Sequence, residues 1–166
     1  MSERPLSSLT AEGHWFEDFT VGRTMRHARG STVDEVENQL LTKLVMNTAQ
    51  SHWNEDFMSG SDLGMGEGRL VFGLVTGSVV IGLTSQDTAE NALAELGVTG
   101  LRFSAPVHHG DTLYAYTEVI DAVDDAERDD AGVVTFKHWG VNQHGTVVFE
   151  GSRRVLVKKH SHWADR

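Results

Sequence analysis

His52, one of nine histidines, lies in a polar stretch and carries a group able to move a proton. Imidazole is the side chain whose unperturbed pKa lies near neutrality, so it can take a proton from water as a general base. Asn47 stands five positions before it. A carboxamide accepts no proton at neutral pH, so its chemical use would be to orient water or a substrate through hydrogen bonds. Further on, Gly73 and Leu74 stand at the start of the apolar run FGLVTGS, which closes on Ser78. If a helix begins there, its free first-turn N–H groups and positive dipole end could hold a developing oxyanion. Just ahead of the run, Arg69 offers a guanidinium that can bind a carboxylate with two parallel hydrogen bonds.

Each of these residues also has a plainer use. His52 could make surface hydrogen bonds from a polar loop, and Asn47 could cap a helix C-terminus, where Asn tolerates the left-handed backbone. Gly73 could serve packing alone, Ser78 could bond back to the carbonyl four residues earlier, and Arg69 could be structural or bind a phosphate. The pairs His108–His109 and His160–His162 are too few for a closed metal site, which needs three or four convergent ligands. With no cysteine, thiol catalysis and sulfur-based zinc sites are excluded. His138 and Trp139 read as cross-strand packing, and the acidic run 124 to 130 as a solvated turn.

These residues need a scaffold. The segment RTMRHARGSTV reads as a strand, and the Thr32 to Asp34 step offers an N-cap for the helix DEVENQLLTKLVM. That helix carries an apolar stripe, Val36, Leu40, Leu41, Leu44 and Val45, and is expected to be half buried. Residues 47 to 71 form a long polar connection that contains His52, and connections of this length are usually functional or disordered. Residues 72 to 86 are apolar on nearly every side, as a helix in the middle of a core is. Gly73, Gly77 and Gly82 would let it pack closely on a sheet. Period-two alternation begins at Leu101 and Phe103 and continues in strands over 112–123, 132–142 and 146–159, the last two forming a hairpin. The expected fold is α+β, an antiparallel sheet wrapped around a central apolar helix. An irregular arm over 1–15, one domain over 16–159 and a tail over 160–166 complete the expected organisation.

A chain of 166 residues suits a single core. A formal net charge of −10 argues against a nucleic-acid partner, which would need clustered Lys and Arg, though spread carboxylates also suit solvation at high salt. No apolar stretch is long enough to span a membrane and the N-terminus lacks a signal pattern, so a cytoplasmic location is expected.

Two segments carry a specific resemblance. Asn47 to Asn54 reads NTAQSHWN, with Ser78 at 26 residues beyond His52, and residues 103 to 113 read FSAPVHHGDTL. The chain resembles the MaoC-like (R)-specific enoyl-CoA hydratases, whose motif runs Asp, any residue, Asn, Pro, any residue, His, with a later Phe-x-x-Pro-Val-x-x-Gly-Asp-Thr-Leu segment. The likeness spans about residues 15 to 158. It departs at Asn47, Ala49 and Gln50, which replace the motif's Asp, Asn and Pro, and at Phe72, which replaces the His before the helix glycine. The stretch MNTAQSH is similar to a branch of the family that hydrates branched dicarboxylic acyl-CoA thioesters such as mesaconyl-CoA.

The resemblance implies a hotdog fold, a hydro-lyase acting on an enoyl-CoA thioester without a cofactor, and a homodimer or higher homo-oligomer. It implies His52 and Asn47 as catalytic residues and Gly73, Leu74 and Ser78 in the oxyanion and substrate-binding set, to which Arg69 is added for its guanidinium, a match for a substrate carboxylate. Asn in place of Asp would keep a second anion away from a substrate that carries its own carboxylate. A hotdog thioesterase and a non-catalytic acyl-CoA-binding subunit are the rival readings.

Overall fold

The structure is a computed structural model that describes residues 13–60, 64–66 and 68–164. Its strands are β1 (Thr24–Thr32), β2 (Ala92–Phe103), β3 (Thr112–Asp124), β4 (Ala131–Val141) and β5 (Val147–Lys158). They form one antiparallel sheet in the order β1, β3, β4, β5, β2. Helix α1 (Glu35–Leu44) follows β1, the short α2 (Glu55–Ser59) lies in the long connection, and α3 (Gly73–Thr88) packs on the sheet. This is the expected α+β architecture.

Alternation drives the sheet. In β3, Leu113, Ala115, Thr117 and Val119 are fully buried and their neighbours face outward. Inward residues Leu113, Ala115, Val148 and Phe149 of β3 and β5 form a core with Val75 and Val80 of α3, while Val119, Val134, Phe136 and Val155 form a second core closed by Phe16 and Phe19. Two glycines set the depth of the helix. A Cβ on Gly77 would stand 2.9 Å from the buried Phe149 ring, and one on Gly140 in β4 would stand 2.4 Å from Val80 of α3. Gly82, expected to serve packing as well, faces open space instead.

A polar chain crosses this core. Asp87 accepts from His27 Nδ1 (2.6 Å), His27 Nε2 lies 2.7 Å from the Thr117 hydroxyl, and that hydroxyl lies 2.8 Å from His138 Nδ1. His27, Thr117 and His138 are all buried, so an arrangement resembling an Asp–His–hydroxyl triad has no access to a substrate. His138 also packs as expected, paired across strands with Thr117 and stacked on Phe136, while Trp139 stacks on its own partner Tyr116.

Helix α1 departs from expectation. Its ends behave well: Asp34 caps the N-terminus in a reciprocal box with Glu37. At the C-terminus Met46 takes a left-handed backbone (φ 56°) while Asn47 N–H donates to the Thr42 carbonyl, a Schellman closure. The face turned inward, however, is polar. Asn38 and Thr42 are fully buried, whereas Val36, Leu40, Leu41, Leu44 and Val45 are exposed, Val36 by 71% and Leu44 by 69%. The stripe that was expected to be half buried therefore has no cover within the described residues.

One smaller correction concerns a boundary. β2 begins at Ala92, well before Leu101, because bulges interrupt its alternation and hide its period. Residues 1–12 of the arm lie outside the described residues. Of the tail, α4 (His160–Trp163) docks on the domain, with His160 N–H donating to Glu17 and Trp163 Nε1 to the Asp130 carbonyl. No described helix is long and apolar enough to cross a membrane.

Candidate active site

His52 ends a 3-10 turn, Gln50–His52, in the long connection. The turn is held against the segment before α3, because Leu70 N–H donates to the Ser51 carbonyl (2.9 Å). His52 Nδ1 lies 3.1 Å from the Leu70 carbonyl oxygen. A carbonyl only accepts, so Nδ1 carries the proton and Nε2 keeps its lone pair. The histidine lines a cavity of about 470 Å³ whose walls include Met65, Phe72, Phe103 and Pro106. Nε2 is thus the ring nitrogen left to accept a proton, on a residue that lines an apolar cavity.

The start of α3 lines the same cavity through Gly73 and Leu74. The N–H groups of Val75 and Thr76 both donate to the Phe72 carbonyl. Those of Gly73 and Leu74 have no hydrogen-bond acceptor among the described residues, as the first amides of a helix do not. Two free donors and the positive end of a 16-residue helix therefore sit beside the histidine. A Cβ on Gly73 would meet the Phe103 ring at 3.1 Å, so glycine also lets that ring close over the helix end.

Asn47 and Ser78 lie elsewhere. With Leu41, Val45 and Val75 they line a second cavity of about 410 Å³, and Phe72 and Leu74 line both, forming the wall between them. Asn47 Oδ1 accepts Ala49 N–H at 2.9 Å, and the left-handed residue at the end of α1 is Met46, so Asn47 is not the cap its plainer reading expected; Ser78 Oγ donates to the Leu74 carbonyl at 2.7 Å, the back-bond expected of it. The chain does not bring Asn47 and His52 to one cavity.

Arg69 is also placed apart from the role expected of it. Its guanidinium binds Glu55 (2.7 Å) and pairs with Glu35, and it lines neither cavity. The hydrogen bond to Glu35 is the main cause that holds the Arg69 pKa above its ordinary value. Two carboxylates already occupy the fork that was expected to hold a substrate carboxylate. Neither cavity is lined by a described Lys or Arg. No cluster of three metal-ligating side chains occurs among the described residues.

Sequence reasoning missed Asn38. It is fully buried and bonds to the backbone of residues 52, 70 and 72 and to His109. The available signal was a poor helix former in the middle of α1, with Thr42 one turn on and opposite the apolar stripe. That face reads as solvent-facing when the stripe is assumed to point inward.

A five-stranded antiparallel sheet on one central helix, with a cavity at the helix N-terminus, defines a hotdog domain. Residues 2–159 match the family described as mesaconyl-CoA hydratase, and the chain belongs to that family. It is 36% identical over 154 residues to the β-methylmalyl-CoA dehydratase of Chloroflexus aurantiacus, covering 93% of this chain and 43% of that one. In structure it is similar to a MaoC domain protein of Chloroflexus aurantiacus (TM-score 0.83, 23% identity, 94% of this chain and 47% of that one). It is also similar to a Mycobacterium tuberculosis protein with a double hotdog fold (TM-score 0.75, 24% identity, 91% and 46%). The chain spans about half the length of each of these proteins.

Proposed function

We propose that this chain carries the site of a hydro-lyase that adds water reversibly across the α,β double bond of an enoyl-CoA thioester, a branched dicarboxylic one such as mesaconyl-CoA being the preferred class. The observation that carries the reading is that His52 Nε2 and the free N–H groups of Gly73 and Leu74 share one apolar cavity. His52 Nε2 takes a proton from water as its oxygen bonds to the β-carbon. The π electrons move through the α-carbon to the thioester oxygen, where the two amides stabilise the negative charge. The imidazolium then returns the proton to the α-carbon as the carbonyl re-forms, so one water is added and nothing else is consumed.

This chemistry needs no cofactor. The thioesterase rival needs a carboxylate at the central helix, and the acidic residue of α3, Asp87, lies near its far end bound to His27. The preference for a dicarboxylic substrate is supported by the family and by the name of the Chloroflexus aurantiacus relative rather than by a cation in the cavity. With purified protein, loss of the conjugated thioester absorbance is expected on mesaconyl-CoA, more slowly on crotonyl-CoA, and without release of free thiol. Thiol release from saturated acyl-CoA would favour the thioesterase, and no turnover of any thioester would favour a binding subunit.

The working assembly in this reading is a homodimer or higher oligomer, with residues 16–159 as one module. The exposed stripe of α1 runs through Leu41 and Val45 to Leu74, and from there to Phe103 at the end of the edge strand β2. A contiguous apolar surface joined to an open sheet edge is a surface that a partner covers. A second hotdog module fits, since relatives of twice this length match over one half. Light scattering at micromolar concentration is expected to give at least the dimer mass, and a monomer would exclude this assembly.

A further inference from the structure

We propose that Asn38 is a positioning residue that holds His52 in the tautomer with a basic Nε2 and anchors the turn carrying the Gly73 and Leu74 amides; this rests on the reading of His52 as the base. The carboxamide is fully buried inside α1, where an amide is tolerated only when hydrogen-bonded. Phe72 N–H can only donate, and it lies 2.9 Å from Oδ1, which fixes which way the amide faces. The Thr42 hydroxyl supports the same oxygen. Nδ2 must then face the Leu70 carbonyl (3.2 Å), the His52 carbonyl (3.3 Å) and His109 Nε2 (3.0 Å).

The Leu70 carbonyl is the link. It accepts from Asn38 Nδ2 on one side and from His52 Nδ1 on the other, so Asn38 sets the acceptor that keeps the histidine proton on Nδ1. Through Phe72 N–H the same side chain pins the residue that precedes Gly73. One amide thus ties together the base and the oxyanion turn, which come from segments 20 residues apart in sequence, His52 and Phe72. Asn47, five residues from His52, lies across the Phe72–Leu74 wall and cannot supply this support.

The same orientation makes His109 Nε2 an acceptor, so His109 is neutral with its proton on Nδ1. Burial, and then the charge of Arg69, hold its pKa below the ordinary histidine value, against the opposing pull of Glu35 and Glu55, with His108 adding to the depression.

The test uses nitrogen NMR of protein labelled at histidine, with His52 assigned by its loss in His52→Gln, together with kinetics on crotonyl-CoA. Wild-type His52 is expected to show a protonated Nδ1 and an unprotonated Nε2. Asn38→Asp keeps an acceptor for Phe72 N–H but removes the donors. It is expected to mix the His52 tautomers and lower kcat about 10- to 100-fold, with KM changed less than about threefold. Asn38→Ser, which adds no charge, is expected to do the same and serves if the Asp variant does not fold. A purely structural Asn38 would alter thermal stability without moving the tautomer. A wild-type His52 protonated at Nε2, or an unchanged tautomer in the folded variant, would overturn the proposal. Absence of wild-type turnover would instead count against the hydratase reading, and the NMR comparison would still decide the role of Asn38.

Discussion

Replacing His52 by alanine is expected to lower enoyl-CoA hydration by at least about 10²-fold, the lower end for loss of a general base. The fold should survive. The side chain is only partly buried, its one polar bond among the described residues is to the Leu70 carbonyl, and its ring contact is with Phe72 at 5.3 Å between centroids. Losing one such hydrogen bond is worth about 1 kcal/mol. The Gly73 and Leu74 amides remain in place because Asn38 and the Phe72 carbonyl hold the helix start without the imidazole. Residual activity should therefore reflect oxyanion stabilisation alone. His52→Gln tests the same point with a side chain that can bond to the carbonyl but cannot take a proton. If either variant kept more than a tenth of the wild-type rate with an unchanged far-UV spectrum, His52 would not be the base.

The sheet and the central helix were legible in the sequence because their burial follows from local periods. Alternation in β3, β4 and β5 has period two over most of each strand and one face is buried, in part against α3 and in part against Phe16 and Phe19, so pattern and structure agree to within a residue or two. The start of β2 was not legible. Its bulges between Ala92 and Ala94, Glu95 and Gly97, and Thr99 and Arg102 shift the inward face three times.

Helix α1 was misread for a different reason. Periodicity identifies an apolar stripe but not the body that covers it, and here the stripe points away from the chain's own core. The misreading also hid Asn38, because the two faces of one helix exchange meaning together. Of the site, His52 and the Gly73–Leu74 turn were read from residue chemistry and family spacing, and the structure places them on one cavity. Asn47 shares the motif spacing but not the cavity, because the left-handed Met46 and the Schellman closure turn the chain away at the end of α1. Arg69 was chosen for its charge, and charge alone could not show that Glu35, far earlier in sequence, would occupy it.

His138 should make stability depend on pH below neutrality. Burial, then the Arg153 charge and His27, push its pKa down to about 3, and its Nε2 is buried without a hydrogen-bond partner among the described residues. In the unfolded chain an ordinary histidine titrates near 6.5. Between these two values the unfolded state binds the additional proton, so the contribution is complete above about pH 6.5 and declines as pH falls toward about 3. For one site the slope approaches about 1.4 kcal/mol per pH unit, and the loss between pH 7 and pH 5 comes to about 2 kcal/mol. His138→Gln removes the titrating ring while keeping an amide within reach of the Thr117 hydroxyl. The variant is expected to be less stable than wild type at pH 7, since the stack on Phe136 is lost. By pH 5 that deficit should shrink by about 2 kcal/mol, read from urea unfolding at both pH values. Carboxylates titrate alike in both proteins and cancel in the difference. A deficit that stayed constant from pH 7 to pH 5 would mean that His138 takes up its proton without unfolding, through an opening of the sheet that lets water reach Nε2.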